Sequence, residues 1–273
     1  MQATTFDLAK QYTLTPEQIS AYRRDGHICL REVASREEVE CFRPVIEGLV
    51  DEGAHTSPSQ GVLEDTSVLF SQVTNVWQKS ESVRELIFAE RFARIAGELM
   101  GVKRVRLYHD QALIKDPGGR PSPWHKDHYY WPLATHQTVK MWLALVDISR
   151  ERGSMCYASG SHRGGLFPEL PIMNNSQDLY DQIIRDHNIE VRSYVLEAGD
   201  AIFHSGDVLH CARENITTER REVVSIIYFA DGARVMKPDH EHRRVDMEMF
   251  LPGLLPGDIA ASDLNPLLYG KSD

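Results

Sequence analysis

The sequence predicts a mainly β protein with flanking helices, organised as one domain over residues 1–273. Three observations carry that reading. From residue 102 the chain runs through VKRVRLYHDQALIKD, TVKMWLALVDIS, SYVLEAGDAIFHS and REVVSIIYFADG, short β-branched or aromatic-rich runs separated by Gly, Pro and Asn. No long helical segment intervenes except around 175–188, which argues against βαβ units. The first hundred residues instead carry apolar side chains at helical spacing.

Taken in order, TPEQISAYRRDG opens with a Thr-Pro-Glu helix start and closes on a Gly. HICLREV then reads as a short strand. SREEVECFRPVIEGLVDEG reads as an amphipathic helix opened by a Ser-x-x-Glu capping box. Residues 54–72, rich in Ser, Thr and Gly, are expected to form a long loop. ESVRELIFAERFARIAGELMG is expected to be a single helix, the clearest in the chain. After the first strands, the insert at 163–190 is long for a connection in a compact domain, as lids and binding loops are. The tail, MFLPGLLPGDIAASDLNPLLYG, is punctuated by Pro and Gly but apolar enough to pack on the core.

Composition narrows the function. The 273 residues are 42% hydrophobic, and the formal net charge is −10, which disfavours a phosphate backbone as partner and so excludes nucleic acid. The short pairs Lys103-Arg104, Arg220-Arg221 and Arg243-Arg244 read as solvated charge, with one exception below. No apolar run approaches the ~20 residues of a membrane span, and MQATTFDLAKQYTLT has no secretory pattern. Four cysteines without CxxC spacing are expected to be reduced thiols in a cytoplasmic protein.

The chemistry concentrates in two places. PSPWHKDHYYWPL contains the one His-x-Asp triplet of the chain, His125-Lys126-Asp127. On an extended strand, residues two apart share a face, so His125 and Asp127 can aim at one point while Lys126 faces away. A surface His–Asp pair is the plain alternative. The second place is GDAIFHSGDVLHCARENITTERREVVSIIYF, read as a β-hairpin centred near Asn215-Ile216. That pairing sets His210 opposite Arg221 on one face. Read separately, His210 is a core histidine and Arg221 a surface charge. Together, two imidazoles and a carboxylate match the facial triad of non-haem Fe(II) oxygenases, and the Arg suits the distal carboxylate of 2-oxoglutarate. A zinc hydrolase can also use His₂-carboxylate ligands, but it leaves Arg221 without a task.

These residues resemble the phytanoyl-CoA dioxygenase-like (PhyH) family of Fe(II)/2-oxoglutarate-dependent oxygenases. The likeness runs from LTPEQISAYRRDGHICL to YFADG and is strongest in PWHKDHYYWPL, MWLALVDISRERGSMCYASGSHRGG and GDAIFHSGDVLHCARENITTERR. It implies a double-stranded β-helix, that is, a cupin-like jelly roll, over about 101–232, with the residues before about 100 as a helical buttress. It implies that His125, Asp127 and His210 hold iron and that Arg221 binds 2-oxoglutarate, with Asn215 in the same hairpin. Trp142 and Gln111 match positions that line the cosubstrate pocket.

Two departures stand out. Arg221 is followed by Glu222 and Val223 rather than by the x-Ser of many relatives outside the family, so an assisting hydroxyl is expected from Thr138 or Thr135. Cys211 and Ala212 follow His210 where small Gly and Ser are common. Because halogenases of this scaffold lack the carboxylate, Asp127 implies hydroxylation or a related oxidation, with O₂ consumed and succinate and CO₂ released.

Tyr129, Tyr130 and Trp131 are candidates for the substrate pocket, with packing as the rival role. His204 is expected to be a core histidine, His109 and His128 neighbours of the site, and His240 and His242 part of a solvated loop. Lys115 and Lys140 are strand lysines, read as surface charges unless an anionic substrate reaches them. The expected partner is a small metabolite, with an acyl-CoA disfavoured by the acidic chain. A jelly roll kept only as a binding module would be expected to have lost ligands, and none of the three is missing. Neither the substrate nor the oligomeric state is written in these motifs.

Overall fold

In the computed structural model, residues 8, 10–53, 70–172 and 174–270 are described, so most of the expected 54–72 loop lies outside the described residues. The first helix, α1 (Pro16–Asp25), is capped as its sequence dictates. Thr15 and Gln18 form a reciprocal capping box, and Gly26 closes the helix in the left-handed region at φ 80°. After strand β1 (His27–Leu30), α2 (Arg36–Gly53) begins on a second box. There Ser35 Oγ accepts from the Glu38 amide, and the Glu38 carboxylate accepts from that of Ser35.

The helix expected over 81–101 is two. After β2 (Ser71–Thr74) come α3 (Glu81–Ile87) and α4 (Glu90–Met100), broken at Phe88-Ala89. Helical spacing continues through the break, so the break is set by packing: Phe88 sits against Trp77. The turn frees α4 to lay Phe92, Ala96 and Leu99 into the core beside Leu107, Val139 and Ile226.

The β core follows as β3 (Val105–Lys115), β4 (Ser122–His125), β5 (Thr138–Ala144), β6 (Met155–Ala158), β7 (Val191–Ser193), β8 (Ala201–Ser205), β9 (His210–Ala212) and β10 (Arg221–Ala230). A helix from the 163–190 insert, α5 (Asn174–Asp186), lies between β6 and β7. A last helix, α6 (Glu241–Phe250), and strand β11 (Leu267–Tyr269) end the described chain. The tail packs through β11, which pairs with β3.

Two antiparallel sheets curl against each other as a jelly roll. The larger runs β1-β8-β5-β10-β3-β11, with β2 also on β3; the smaller runs β4-β9-β6-β7. Strand alternation assigns the faces of the larger sheet. Val224, Ile226 and Tyr228 of β10 meet the helices, whereas Val223 faces Met155 and Tyr157 of the smaller sheet. Arg221, Gln111, Lys115, Lys140, Trp142 and His204 share the parity of that inner face.

The hairpin expected over 199–229 is not formed. β9 belongs to the smaller sheet and β10 to the larger, so the polar segment between them crosses from one sheet to the other. His210 pairs with His125 and Tyr157, and Arg221 with Lys115. Adjacent strands in a sequence are not obliged to pair, and here the jelly-roll connection wins over the local turn signal.

Candidate metal and cosubstrate site

His125 and His210 are register partners on neighbouring antiparallel strands, with ring centroids 4.2 Å apart. Each donates Nδ1–H to a backbone carbonyl two residues back, His125 to Pro123 at 2.8 Å and His210 to Val208 at 3.0 Å. That fixes the tautomer and leaves both Nε2 lone pairs free. Asp127 opens a single 3-10 turn, Asp127–Tyr129, directly after β4. Its carboxylate lies 3.8 Å from His125 Nε2 and 3.7 Å from His210 Nε2, too far for hydrogen bonds. The three ligand atoms all lie within 4.8 Å of one another. Aimed lone pairs around a carboxylate at this spacing fit a divalent metal ion, and the set has the composition of a facial triad.

Burial sets the electrostatics. It pushes His125 down and His210 well down from the ordinary imidazole value, so both present neutral nitrogens. Burial alone would raise Asp127. Lys140 first, then His210, His204 and His125, outweigh it and hold the carboxyl well below the usual range. Lys140 Nζ sits 3.2 Å from Asp127 Oδ2 on a buried position of β5, where strand parity turns it inward rather than to the surface. His204, from the same inner face, brings Nε2 to 3.9 Å from Asp127, and burial pushes it down to about 4. These two neighbours of Asp127 were missed as site residues. The signal was their parity with Trp142 and with Ile202, but it becomes legible only when the strand pairing is known.

The cavity beside this centre is lined by His125, His210, Lys140, Gln111, Trp142 and Arg221. Arg221 is 2% exposed. Its guanidinium donates to the Gly153 carbonyl at 3.3 Å and lies 5.2 Å over the Trp142 ring, while its Nε has no partner. No ion pair to it is formed among the described residues, and burial pushes it down to about 10. Lys115 beside it is not at the surface either. It donates to the carbonyls of Arg120 and Arg213, and burial with the Arg221 charge pushes it down to about 6. Gln111 accepts from Ser225 at 3.3 Å, and Ser225 stands between Gln111 and Trp142 across the sheet. Asn215 is fully buried and donates to the carbonyls of Lys115 and Glu219, closing the crossing segment.

Other expected residues fall elsewhere. Thr138 pairs with Phe229, at the other end of β10 from Arg221, and Thr135 lies in the loop before it. Neither hydroxyl reaches the guanidinium, and the buried hydroxyl that lines the cavity is that of Ser122. Lys126 does point away from Asp127, but not to water: it is buried and donates to the Phe167 carbonyl of the insert. Tyr130 and Trp131 line a smaller polar cleft with His109, Asp127 and Lys140. Tyr130 Oη accepts from the Ile172 amide at 2.8 Å, and Ile172 borders the main cavity. Tyr129 stacks on His240, which caps α6 rather than lying in a loop. The insert covers the outer face of the smaller sheet: Trp124 donates Nε1–H to Asp181 and its amide to Gln177.

A jelly roll that sets a His-Asp-His cluster beside a buried arginine defines a non-haem Fe(II)/2-oxoglutarate-dependent dioxygenase. The comparisons agree and are narrower. Residues 22–223 match the model of the phytanoyl-CoA dioxygenase (PhyH) family, and the chain belongs to that family. It is similar to the ectoine dioxygenase of Nocardia farcinica, 25% identical over 92% of this chain and 86% of that one. Among solved structures it resembles the non-heme alpha ketoglutarate dependent carbocyclase SnoK from nogalamycin biosynthesis. That match has 28% identity and a TM-score of 0.76, covering 93% of this chain and 96% of SnoK. It also resembles the epimerase SnoN of the same biosynthesis, with 25% identity, a TM-score of 0.74 and coverage of 92% and 97%. Among the described residues, no helix is long and apolar enough to cross a membrane.

Proposed function

We propose that this chain hydroxylates, or otherwise oxidises, an unactivated C–H bond of a small metabolite in secondary metabolism. His125, Asp127 and His210 would hold Fe(II), and Arg221 would seat 2-oxoglutarate, with Trp142 and Gln111 beside it. Iron and cosubstrate supply the oxidising chemistry from O₂, with succinate and CO₂ as by-products. The observation that carries the reading is Arg221, a buried cation with no carboxylate partner among the described residues, opening into the cavity that His125 and His210 line. An unpaired buried charge is costly, and a ligand carboxylate relieves that cost with a two-pronged bond. Asp127 fills the position a halide would need, which supports hydroxylase over halogenase.

The remaining lining, Phe70, Leu113, Met155, Ile172 and Ala212 with Gln72 and Ser122, is apolar or neutral. That supports a mainly apolar substrate held by a few hydrogen bonds, and offers no cation to the phosphates of an acyl-CoA. Similarity to two enzymes of nogalamycin biosynthesis supports the metabolic setting.

The test is anaerobic binding of Fe(II) and 2-oxoglutarate, followed through the weak visible charge-transfer band of their complex. The wild type should show it. Arg221→Ala should need roughly 100-fold more 2-oxoglutarate, the scale expected when one partner of a buried ion pair is removed, with iron affinity unchanged. Equal loss of iron and cosubstrate binding, or no band in the wild type, would defeat the assignment.

A further inference from the structure

Outside the iron site, a second cluster has the composition of a metal centre. His128, His136 and Asp207 bring one imidazole or carboxylate donor each to within 4.8 Å of one another. They come from three separate segments: the 3-10 turn after β4, the loop into β5, and the turn between β8 and β9. A backbone bond ties the first of these segments to the third, since the His128 amide donates to the Gly206 carbonyl at 2.9 Å.

The second observation is His128 itself. It is 2% exposed, and its Nδ1 is buried without a hydrogen-bond partner. Its ring faces that of His136 with centroids 4.8 Å apart. A buried ring nitrogen without a partner is costly, and the His128 imidazole belongs to a cluster whose other two members are already in contact, His136 Nδ1 lying 3.0 Å from Asp207 Oδ2. Nearby Arg243 contacts both oxygens of Asp239, at 3.0 and 3.1 Å, the His128 carbonyl at 3.4 Å and Glu169 at 3.5 Å, which places its hydrogen bonds on groups other than the Asp207 carboxylate.

We infer that His128, His136 and Asp207 form a second divalent transition-metal site, of the zinc class, distinct from the iron site. Two imidazoles and one carboxylate suit Zn(II), whose ligand atoms stand about 3.4 Å apart in a tetrahedron with bonds near 2.1 Å. The exposed His136 ring, hydrogen-bonded to Asp207, can turn to close the remaining distance, and water completes the shell. Because His128 follows Asp127 and Asp207 lies in the turn ahead of His210, an ion here ties together the two chain segments that carry iron ligands.

Metal-free, untagged protein titrated with Zn(II) by calorimetry tests this. The wild type should take two equivalents, one in the facial triad and one here. His136→Ala, a change at an exposed side chain, should take one. Asp127→Ala should also keep one, and the double variant none. A wild type that takes a single equivalent, or a His136→Ala protein that still takes two, overturns the second site. The iron reading fails separately, if Asp127→Ala leaves the wild-type stoichiometry unchanged. Zinc should also raise the melting temperature of Asp127→Ala protein but not of the double variant; equal shifts in both would overturn the inference as well.

Discussion

The smaller sheet and the turn after β4 bring lone pairs to the centre; the larger sheet brings cations. His125, His210 and Asp127 come from the first, and Arg221 and Lys140 from the second. Each half alone is electrostatically incomplete. The ligands want a metal ion, and the guanidinium wants an anion. Because the two demands sit on different sheets, metal affinity and cosubstrate affinity can be changed separately, and the following changes test how separate they are.

Asp127→Ala should have the largest effect. Removing the one carboxylate of the triad should abolish iron-dependent 2-oxoglutarate turnover, by a factor of at least about 1,000, with folding intact by circular dichroism. Retained turnover would mean that the lone-pair half does not need Asp127. Arg221→Met should weaken 2-oxoglutarate binding strongly yet raise the melting temperature of ligand-free protein by a few degrees, since an apolar chain replaces an unpaired buried cation. A lower melting temperature would show that Arg221 is a structural group of the larger sheet.

Lys140→Met crosses the divide, because Lys140 is a cation of the larger sheet paired with a ligand of the smaller. Without the competing ammonium, Fe(II) affinity at pH 7.5 should rise about tenfold, or ~1.4 kcal/mol, as read by anaerobic calorimetry. Unchanged affinity would mean that the ion pair at 3.2 Å does not compete with metal.

The smallest effect lies at the buttress. Asp110 of β3 is fully buried and accepts from the Val76 amide; burial pushes its carboxyl up to about 7. Its folded value lies above the unfolded one near 4, so the folded protein binds more protons between these values. Stability is then full below about pH 4 and is lost as pH rises to about 7. Asp110→Asn should flatten that decline by a few degrees of melting temperature between pH 5 and 8. An unchanged slope would place the titration elsewhere.

How far the sequence disclosed this site depended on whether the relevant signal was local. The caps of α1 and α2 are set by neighbours three residues apart and were legible. So were His125, Asp127 and His210 as residue types in a pattern. Where tertiary structure intervened, reading failed. The break between α3 and α4 follows from packing at Phe88, and the His210–Arg221 pairing was inferred from a turn that is in fact a crossing between sheets. Lys140 and His204 looked like an ordinary surface lysine and an ordinary core histidine, because only the register of β5 and β8 turns both toward Asp127. Thr138 had a suitable hydroxyl but lay at the wrong end of its strand.

The register pairing of His125 with His210 has a consequence for how this protein can be studied. Those strands are far apart in the chain and meet only when the smaller sheet has assembled, a non-local contact of the kind that slows folding. An iron ion held by this pair would therefore have no site in a partly assembled chain. Metal uptake is a readout of completed folding, and added metal should stabilise the whole domain by mass action rather than one loop of it. Refolding followed by metal capture would time the last closure of the barrel.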